Sequence, residues 1–198
     1  ERFDPLTGEA AANLQNLVSS ICLAPDGRLW AGTSGAGLYC VDGQQSIHYG
    51  TADGLSDNKI LAVAADDANA IWAGTFSGGL NKIVDGQITG YGATAGLPEQ
   101  PVTAILPVRK GAVYIGFENG KIARGSGSNF TSVMDVSVTG GKGIRALQQD
   151  AAGRIWAGTS GGRLVCFSAR RYLKWDLNLG SVDDSIDGIL ADENGVLW

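Results

Sequence analysis

Few residues in this chain could do acid–base or nucleophilic chemistry, and they do not gather. There is one histidine among 198 residues, His48, next to Tyr49. A single histidine cannot build a Ser-His-Asp or Cys-His relay without carboxylate and nucleophile partners that the sequence does not place near it. The pairs Asp66-Asp67 and Asp183-Asp184 carry enough charge to suggest a cation. Both, however, stand in turns or connectors, where Asp is favoured for hydrogen bonds to its own backbone. Cys22, Cys40 and Cys166 make no disulfide framework. Cys40 and Cys166 share one repeat position three repeats apart, so they are not expected to pair, and all three read as small buried hydrophobes. The glycine-rich stretches SGAG (34–37) and FSGG (76–79) resemble phosphate cradles only superficially, because they follow a strand and open no helix. No catalytic residue, metal site or cofactor is expected.

The spacing of the large aromatics is far more informative. Trp30, Trp72, Tyr114, Trp156 and Trp198 advance from 30 to 72, 114, 156 and 198, a step of 42 each time. A period of about 40–45 residues is what one four-stranded propeller blade requires. Other positions keep the same step. Gly32, Gly74, Gly116 and Gly158 lie two after the aromatic. Val18, Ile60, Val102, Ile144 and Ile186 lie twelve before, and Ile21, Val63, Ile105, Leu147 and Ile189 nine before. Aromatic stripes can stack on sugars, but residues recurring in every unit at one strand position read as packing. Trp175 takes the outer-strand place of Tyr49 and Tyr91 and reads the same way.

Each unit reads as strands joined by turns. The apolar run 18–24 is expected to be a strand buried on both faces. Pro25-Asp26-Gly27-Arg28 is a tight turn; Asn69 holds the equivalent glycine place in the second unit and, like glycine, tolerates positive φ. A second strand (LWAGT, 29–33; IWAGT, 71–75 and 155–159), a glycine-rich turn, a third strand and a weaker outer strand follow. Only residues 8–17 could make a helical turn or two. The expected architecture is all-β: a β-propeller of four-stranded antiparallel blades, with full blades at 17–58, 59–100, 101–142 and 143–184. A partial blade is expected at 185–198, and residues 1–16 read as the outer strand of a preceding blade with its connector. One incomplete propeller domain follows, with its ends at open edges or paired with another molecule, and natural proteins avoid long unpaired edges.

The unit Ile21…Asp26-Gly27-Arg28-Leu29-Trp30-Ala31-Gly32-Thr33…Gly37-Leu38 resembles the two-component regulator propeller repeat, as does Leu147…Asp150…Gly153-Arg154-Ile155-Trp156-Ala157-Gly158-Thr159…Leu164. The connectors Asp53-Gly54-Leu55-Ser56-Asp57-Asn58 and Ala95-Gly96-Leu97-Pro98 are similar to the family's inter-blade phrase. The third unit departs, with Tyr114 for Trp, Phe117-Glu118 after the glycine and no Gly-Leu pair at 135–142. The resemblance covers residues 17–198. It implies a non-catalytic periplasmic sensor region of a bacterial hybrid histidine kinase or diguanylate cyclase. The implied partners are a small molecule or oligosaccharide, or alternatively another protein held by a scaffold with no small-molecule site. An enzyme of the propeller lyase or hydrolase type is a third reading, disfavoured because acid–base residues do not cluster.

Composition limits partners further. Net charge is −5 and the isoelectric point about 4.8, which argues against nucleic acid, bound through Lys and Arg on phosphates, and against anionic membrane surfaces. No run of about 18 apolar residues is present for a membrane span. Self-association through open propeller edges remains a further expectation. A ligand site is expected where loops break the repeat. The turn after the second strand carries four different residues at one position, Ser34, Phe76, Glu118 and Ser160. At the start of the inner strand stand Ser19, Leu61, Thr103, Arg145 and Asp187, and an Arg145–Asp187 ion pair is expected. The tentative channel-rim set is therefore Ser34, Phe76, Glu118, Ser160, Arg145 and Asp187.

Overall fold

A computed structural model of the chain describes residues 18–43, 45–137, 142–168, 171–173, 184–192 and 195–198. The chain divides into two compact units, Glu1–Val102 and Thr103–Trp198. The described residues are all-β, with three single-turn 3-10 segments and no α-helix. Residues 1–16, the possible helical turn at 8–17 and the outer-strand place of Trp175 lie outside the described residues.

The first unit holds two antiparallel sheets. One runs β1 (Val18–Leu23), β2 (Leu29–Thr33), β3 (Leu38–Asp42), β4 (Gln45–Tyr49); the other runs β5 (Ile60–Ala65), β6 (Ile71–Thr75), β7 (Leu80–Val84), β8 (Gln87–Tyr91). β9 (Val102–Val108), whose first residue Val102 is the last of the first unit, forms one sheet of the second unit with β10 (Ala112–Phe117), β11 (Lys121–Ser126) and β12 (Asn129–Asp135). The other is β13 (Ile144–Gln149), β14 (Ile155–Thr159), β15 (Leu164–Ser168) and β16 (Arg171–Leu173). Sequential strand order in every sheet is the up-and-down meander of a propeller blade, reached through short hairpin turns. Asn69 does adopt positive φ (62°) where Gly27 (87°) and Gly153 (78°) stand in other repeats, so one left-handed residue is what that turn requires. Beyond β16, Leu190 and Trp198 exchange backbone hydrogen bonds of 2.8 and 3.0 Å around an Ala191–Leu197 bridge.

Blade joins blade through one recurring contact. Gly32 lies against Ile60 and Val63: a methyl group added to Gly32 would come within 2.5 Å of Ile60 Cγ2 and 3.0 Å of Val63 Cγ2. Gly74 meets Val102 in the same way. In the second unit, a methyl on Gly116 would reach 2.5 Å from Ile144 Cγ2, and one on Gly158 would reach 2.6 Å from Ile186 Cγ2. These glycines need no unusual φ; they are small because Ile60, Val102, Ile144 and Ile186 lie directly on them. Ile60, Val102 and Ile144 are buried. A hydroxyl reinforces two joints. Ser19 Oγ is within donating distance of the carbonyls of Gly32 (3.0 Å) and Ile60 (2.6 Å), and Thr103 Oγ1 of Gly116 (3.3 Å) and Ile144 (2.5 Å). The inner strands bulge just past the wedged residue, between Val18 and Ser20, Ile60 and Ala62, and Ile144 and Ala146.

One expectation is corrected. β1 is not buried on both faces. Cys22 packs inward and is only half-buried, whereas Val18, Ile21 and Leu23 are 49%, 66% and 70% exposed, because among the described residues no sheet lies on that side of β1.

Adding a methyl group at a closed joint forces the inner strand away, so Gly116→Ala is expected to cost about 1–3 kcal/mol. In an Ile144→Ala background the added methyl has room, and a double-mutant cycle read by denaturant melts should show the cost of Gly116→Ala falling sharply.

Candidate functional site

The recurring tryptophans are core residues. Trp30, Trp72 and Trp156 are 3%, 2% and 6% exposed, while Trp198 is 76% exposed. Trp30 stacks on Tyr49 at 5.6 Å and Trp72 on Tyr91 at 6.1 Å between ring centroids. Each buried indole carries an N–H that must find an acceptor. Asp66 Oδ2 accepts from Trp72 Nε1 at 3.3 Å, Asp150 Oδ2 from Trp156 Nε1 at 2.8 Å, and Asp192 Oδ2 from Trp198 Nε1 at 3.4 Å. The acceptor stands six residues before the tryptophan each time. Asp66 and Asp150 also accept the backbone N–H groups of their own turn, from Ala68 and Ala70 and from Arg154 respectively. Of the aspartates that suggested a cation, Asp66 is thus a turn and tryptophan anchor and Asp183 lies outside the described residues; among the described residues no His, Cys, Asp and Glu group could hold a metal ion. In the first repeat the sixth residue back is Ala24. Trp30 Nε1 is left buried without a described partner, and Asp26, four before, pairs with Arg28 instead.

The lone histidine is held as a structural part. His48 Nε2 lies 2.7 Å from the Ala36 carbonyl and its ring 4.8 Å from that of Tyr39. Cys40 and Cys166 are buried and unpaired, and burial pushes their thiols above the ordinary pKa, away from the thiolate that nucleophilic chemistry needs.

The rim is built by tying each turn after the second strand to a connector. Thr33, Thr75 and Thr159, the last residues of their strands, are buried, and their hydroxyls hold the following turn: Thr33 Oγ1 donates to Gly37 O at 2.9 Å, and Thr75 Oγ1 to Gly79 O at 3.0 Å. In the first unit a 3-10 turn, Thr51–Asp53, ends on Gly54 at φ 110°, which drops Leu55 into the core. Gly96 and Leu97 repeat this after Ala93–Ala95. Ser56 is then fixed by buried Asn81, whose Nδ2 donates to Ser56 Oγ at 2.9 Å and whose Oδ1 accepts from Ser56 N at 3.1 Å. Asp57 accepts from Lys59 N, Ser77 N and Ser77 Oγ at 3.0, 3.1 and 2.6 Å. Burial raises the Asp57 carboxyl, but these donors outweigh it and hold its pKa below the ordinary carboxylate value. Phe76 N donates to Lys59 O at 3.0 Å, and the Lys59 ammonium sits 3.7 Å from the centroid of the Phe76 ring, which is 48% exposed. Ser34 is exposed on the equivalent turn of the first sheet.

In the second unit the expected ion pair is replaced. Arg145 Nη2 lies 3.2 Å from Glu118 Oε1, not on Asp187, and Asp187 accepts from Ser185 Oγ at 2.7 Å. The reason is Gly143. A side chain there would collide with Glu118, coming 2.7 Å from its carbonyl oxygen and 3.1 Å from Cδ; with none, Glu118 lies across the connector to Arg145. Gly143 O also accepts from Ser160 N at 2.9 Å. Glu118, Arg145 and Ser160 are thus gathered at one connector. Ser34 and Phe76 stand in the first unit, and Asp187 faces solvent without joining the Glu118–Arg145 pair. Sequence reasoning missed the Asp–Trp link, which an aspartate six residues before Trp72, Trp156 and Trp198 signalled. It also missed Asn81, for which no repeat signal exists because only one unit carries it. At the inner-strand position proposed for ligand contact, Ser19 and Thr103 serve the joints.

The sheets define a propeller-blade protein. Residues 14–35 and 140–161 match the family model described as the two component regulator propeller. No curated protein sequence matches the chain. Among solved structures it is similar to the extracellular domain of a putative hybrid two component system from B. thetaiotaomicron, at 21% identity and TM-score 0.70, over 91% of this chain and 25% of that one. A second such domain from the same organism aligns at 23% identity and TM-score 0.70, over 86% of this chain and 24% of that one. The chain thus spans about a quarter of the length of these domains. It is also similar to virginiamycin B lyase from Staphylococcus aureus, at 13% identity and TM-score 0.82, over 94% of this chain and 64% of that one. At these identities the likeness is one of fold. No helix among the described residues is long and apolar enough to cross a membrane.

Burial raises the Asp150 carboxyl, but the Trp156 indole N–H and the Arg154 donors hold its pKa below the ordinary value. A carboxylate with a lowered native pKa contributes stability above the unfolded pKa of about 3.9, and that contribution is lost as pH falls through the native value. Asp150→Asn is therefore expected to cost about 1–3 kcal/mol at pH 7, with the gap to wild type narrowing below about pH 4 in denaturant melts. Ala24 makes the same backbone turn bond, Ala24 N to Arg28 O, that Asp66 makes to Ala70 O and Asp150 to Arg154 O. Ala24→Asp should thus supply the missing acceptor for Trp30 and raise stability by about 1 kcal/mol at pH 7; a lower melting temperature would show that the turn cannot hold the carboxylate.

Proposed function

We propose that the chain is a non-catalytic, extracytoplasmic sensing segment of a bacterial two-component-type receptor, periplasmic in placement, with specificity carried on the connector rim. The observation that carries this reading is the match of residues 14–35 and 140–161 to two component regulator propeller repeats. The chemistry of the side chains supports the non-catalytic part. A histidine-to-alanine form of virginiamycin B lyase is described as catalytically inactive. Here the single histidine bonds a backbone carbonyl and packs on Tyr39 in an outer strand, and the described carboxylates whose pKa is held low anchor turns and indoles. The ligand in this reading is a small molecule or oligosaccharide, and neither a nucleic acid nor a cofactor is involved.

Glu118, Arg145 and Ser160 form the first place to test, because they are held together where the third repeat departs from the others. Glu118 and Arg145 are surface residues, and an exposed ion pair contributes about 0–1 kcal/mol. Glu118→Ala and Arg145→Ala should therefore leave the melting temperature of the chain nearly unchanged. In the full-length receptor the same substitutions should weaken transcriptional output in response to the growth substrate that induces it. Full output from both variants would remove this part of the rim. Loss of folding would make the pair structural, and output that follows a co-purifying protein would favour a scaffold.

A further inference from the structure

The turn between β1 and β2 carries the same groups as its counterparts, with the carboxylate moved. In the second and fourth repeats an aspartate stands six before the tryptophan and an alanine four before: Asp66 with Ala68, and Asp150 with Ala152. In the first repeat the two types are exchanged, as Ala24 with Asp26. The backbone of the turn is unchanged. Ala24 N donates to Arg28 O at 2.9 Å and Gly27 N to Ala24 O at 2.9 Å; Asp150 N donates to Arg154 O at 3.0 Å and Gly153 N to Asp150 O at 2.9 Å. Ala24 is buried in the same core cluster as Trp30.

In the fourth repeat three donors face the carboxylate. Arg154 N, Arg154 Nε and Trp156 Nε1 lie 2.9, 2.6 and 2.8 Å from the oxygens of Asp150. Arg28 and Trp30 supply the same three groups in the first repeat. Asp26, at the turn tip, takes two of them: its Oδ1 accepts from Arg28 N at 3.1 Å and its Oδ2 from Arg28 Nε at 2.8 Å. The third, Trp30 Nε1, is buried without a described partner. Cys40 and Cys166 stand opposite Trp30 and Trp156 in register. Burial raises the Cys40 thiol and the Arg28 guanidinium works against it, as Arg154 does at Cys166, so each guanidinium is felt in the core beside its indole. The Arg28 and Asp26 side chains reach solvent, and an ion pair so exposed contributes little.

We infer that the place of Ala24 binds a small carboxylate of formate size, which accepts from Trp30 Nε1 and takes the Arg28 Nε–H from Asp26, as the side chain of Asp150 does in its own repeat. The converging groups are donors only and one carries a full positive charge, the setting in which hydrogen bonds to a carboxylate are shortest and strongest. Burial of Ala24 and Trp30 limits the ligand to a few atoms. The turn lies at the start of β2 and the connector rim at its end, so the site is independent of any sensory role.

The test is a titration of isotope-labelled chain with sodium formate at neutral pH, with ionic strength held constant by sodium chloride. It is read at the Trp30 indole N–H resonance, assigned through the contact of Trp30 with Tyr49. A saturable downfield shift is expected. At formate ten times its Kd, the ratio of folded to unfolded protein in denaturant melts should rise about 11-fold. Asp26→Ala removes the competing carboxylate and should lower the Kd several-fold. Ala24→Asp holds a carboxylate in place covalently and should abolish the response; if that variant does not fold, Arg28→Gln at the surface should abolish it instead. No shift with formate would overturn the proposal and leave the indole N–H to water. An equal shift with chloride would also overturn it, as would a Kd that Asp26→Ala does not lower. So would a formate response unchanged in Ala24→Asp or, in its place, in Arg28→Gln.

Discussion

Everything in this fold rests on the absence of a side chain at four places. Gly32 and Gly116 let the inner strand of the next sheet in their unit lie directly on the second strand of the one before, and Gly74 and Gly158 take Val102 and Ile186 in the same close contact. Interiors are packed so closely that one methyl group is felt, and here it would fall 2.3–2.6 Å from a side-chain methyl of Ile60, Val102, Ile144 or Ile186, far inside van der Waals contact. The glycine sets the separation between sheets, the β-branched residue fills it, and Ser19 and Thr103 satisfy carbonyls that the close approach would otherwise strand. The large aromatic two residues earlier then has a fixed wall to pack against. Its depth brings a polar cost, which the aspartate six residues back removes by accepting the indole N–H.

The rim is the other half of the same economy. Because the joints fix the strands, the turns between them need only local ties, supplied by the buried threonines that end β2, β6 and β14, the glycine-leucine connector and carboxylates such as Asp57. These ties use backbone groups and leave outward side chains free to differ. Phe76 and Glu118 occupy one repeat position yet meet an ammonium in one case and a guanidinium in the other. A scaffold that secures its loops through main-chain bonds allows the loop side chains to change without loss of fold.

The fold was largely legible in the sequence because its determinants repeat. A step of 42 carried by an aromatic, a glycine and two apolar positions specifies strand order, turn places and core together, and even the positive φ of Asn69 could be read from its alignment with Gly27. What could not be read depends on single copies. The partner of Arg145 is set by the missing side chain of Gly143, which lies outside the repeated positions, so the choice of Glu118 over Asp187 has no periodic signature. Asn81 likewise occurs once. The exposure of β1 was misjudged because an apolar run reports what a strand prefers to contact, not what lies beside it. The rim residues were found by their variation, and variation marks freedom from the fold without naming a ligand.

The sameness of the joints has a genealogical consequence. When every wedge fits every socket, a tandem duplication or unequal crossover of one 42-residue segment inserts a blade whose two new seams are chemically identical to the old ones. Repeat arrays of this kind have energetics dominated by nearest neighbours, so copy number can drift with little cost at each seam. The departures then become the record of that drift. A blade such as the third, with Tyr114 in the tryptophan place and Val108 where aspartate stands in three other repeats, lacks the indole and its acceptor together, so no indole N–H is left there without a partner. The first repeat lacks only the acceptor, with Ala24 in the aspartate place and the Trp30 indole retained.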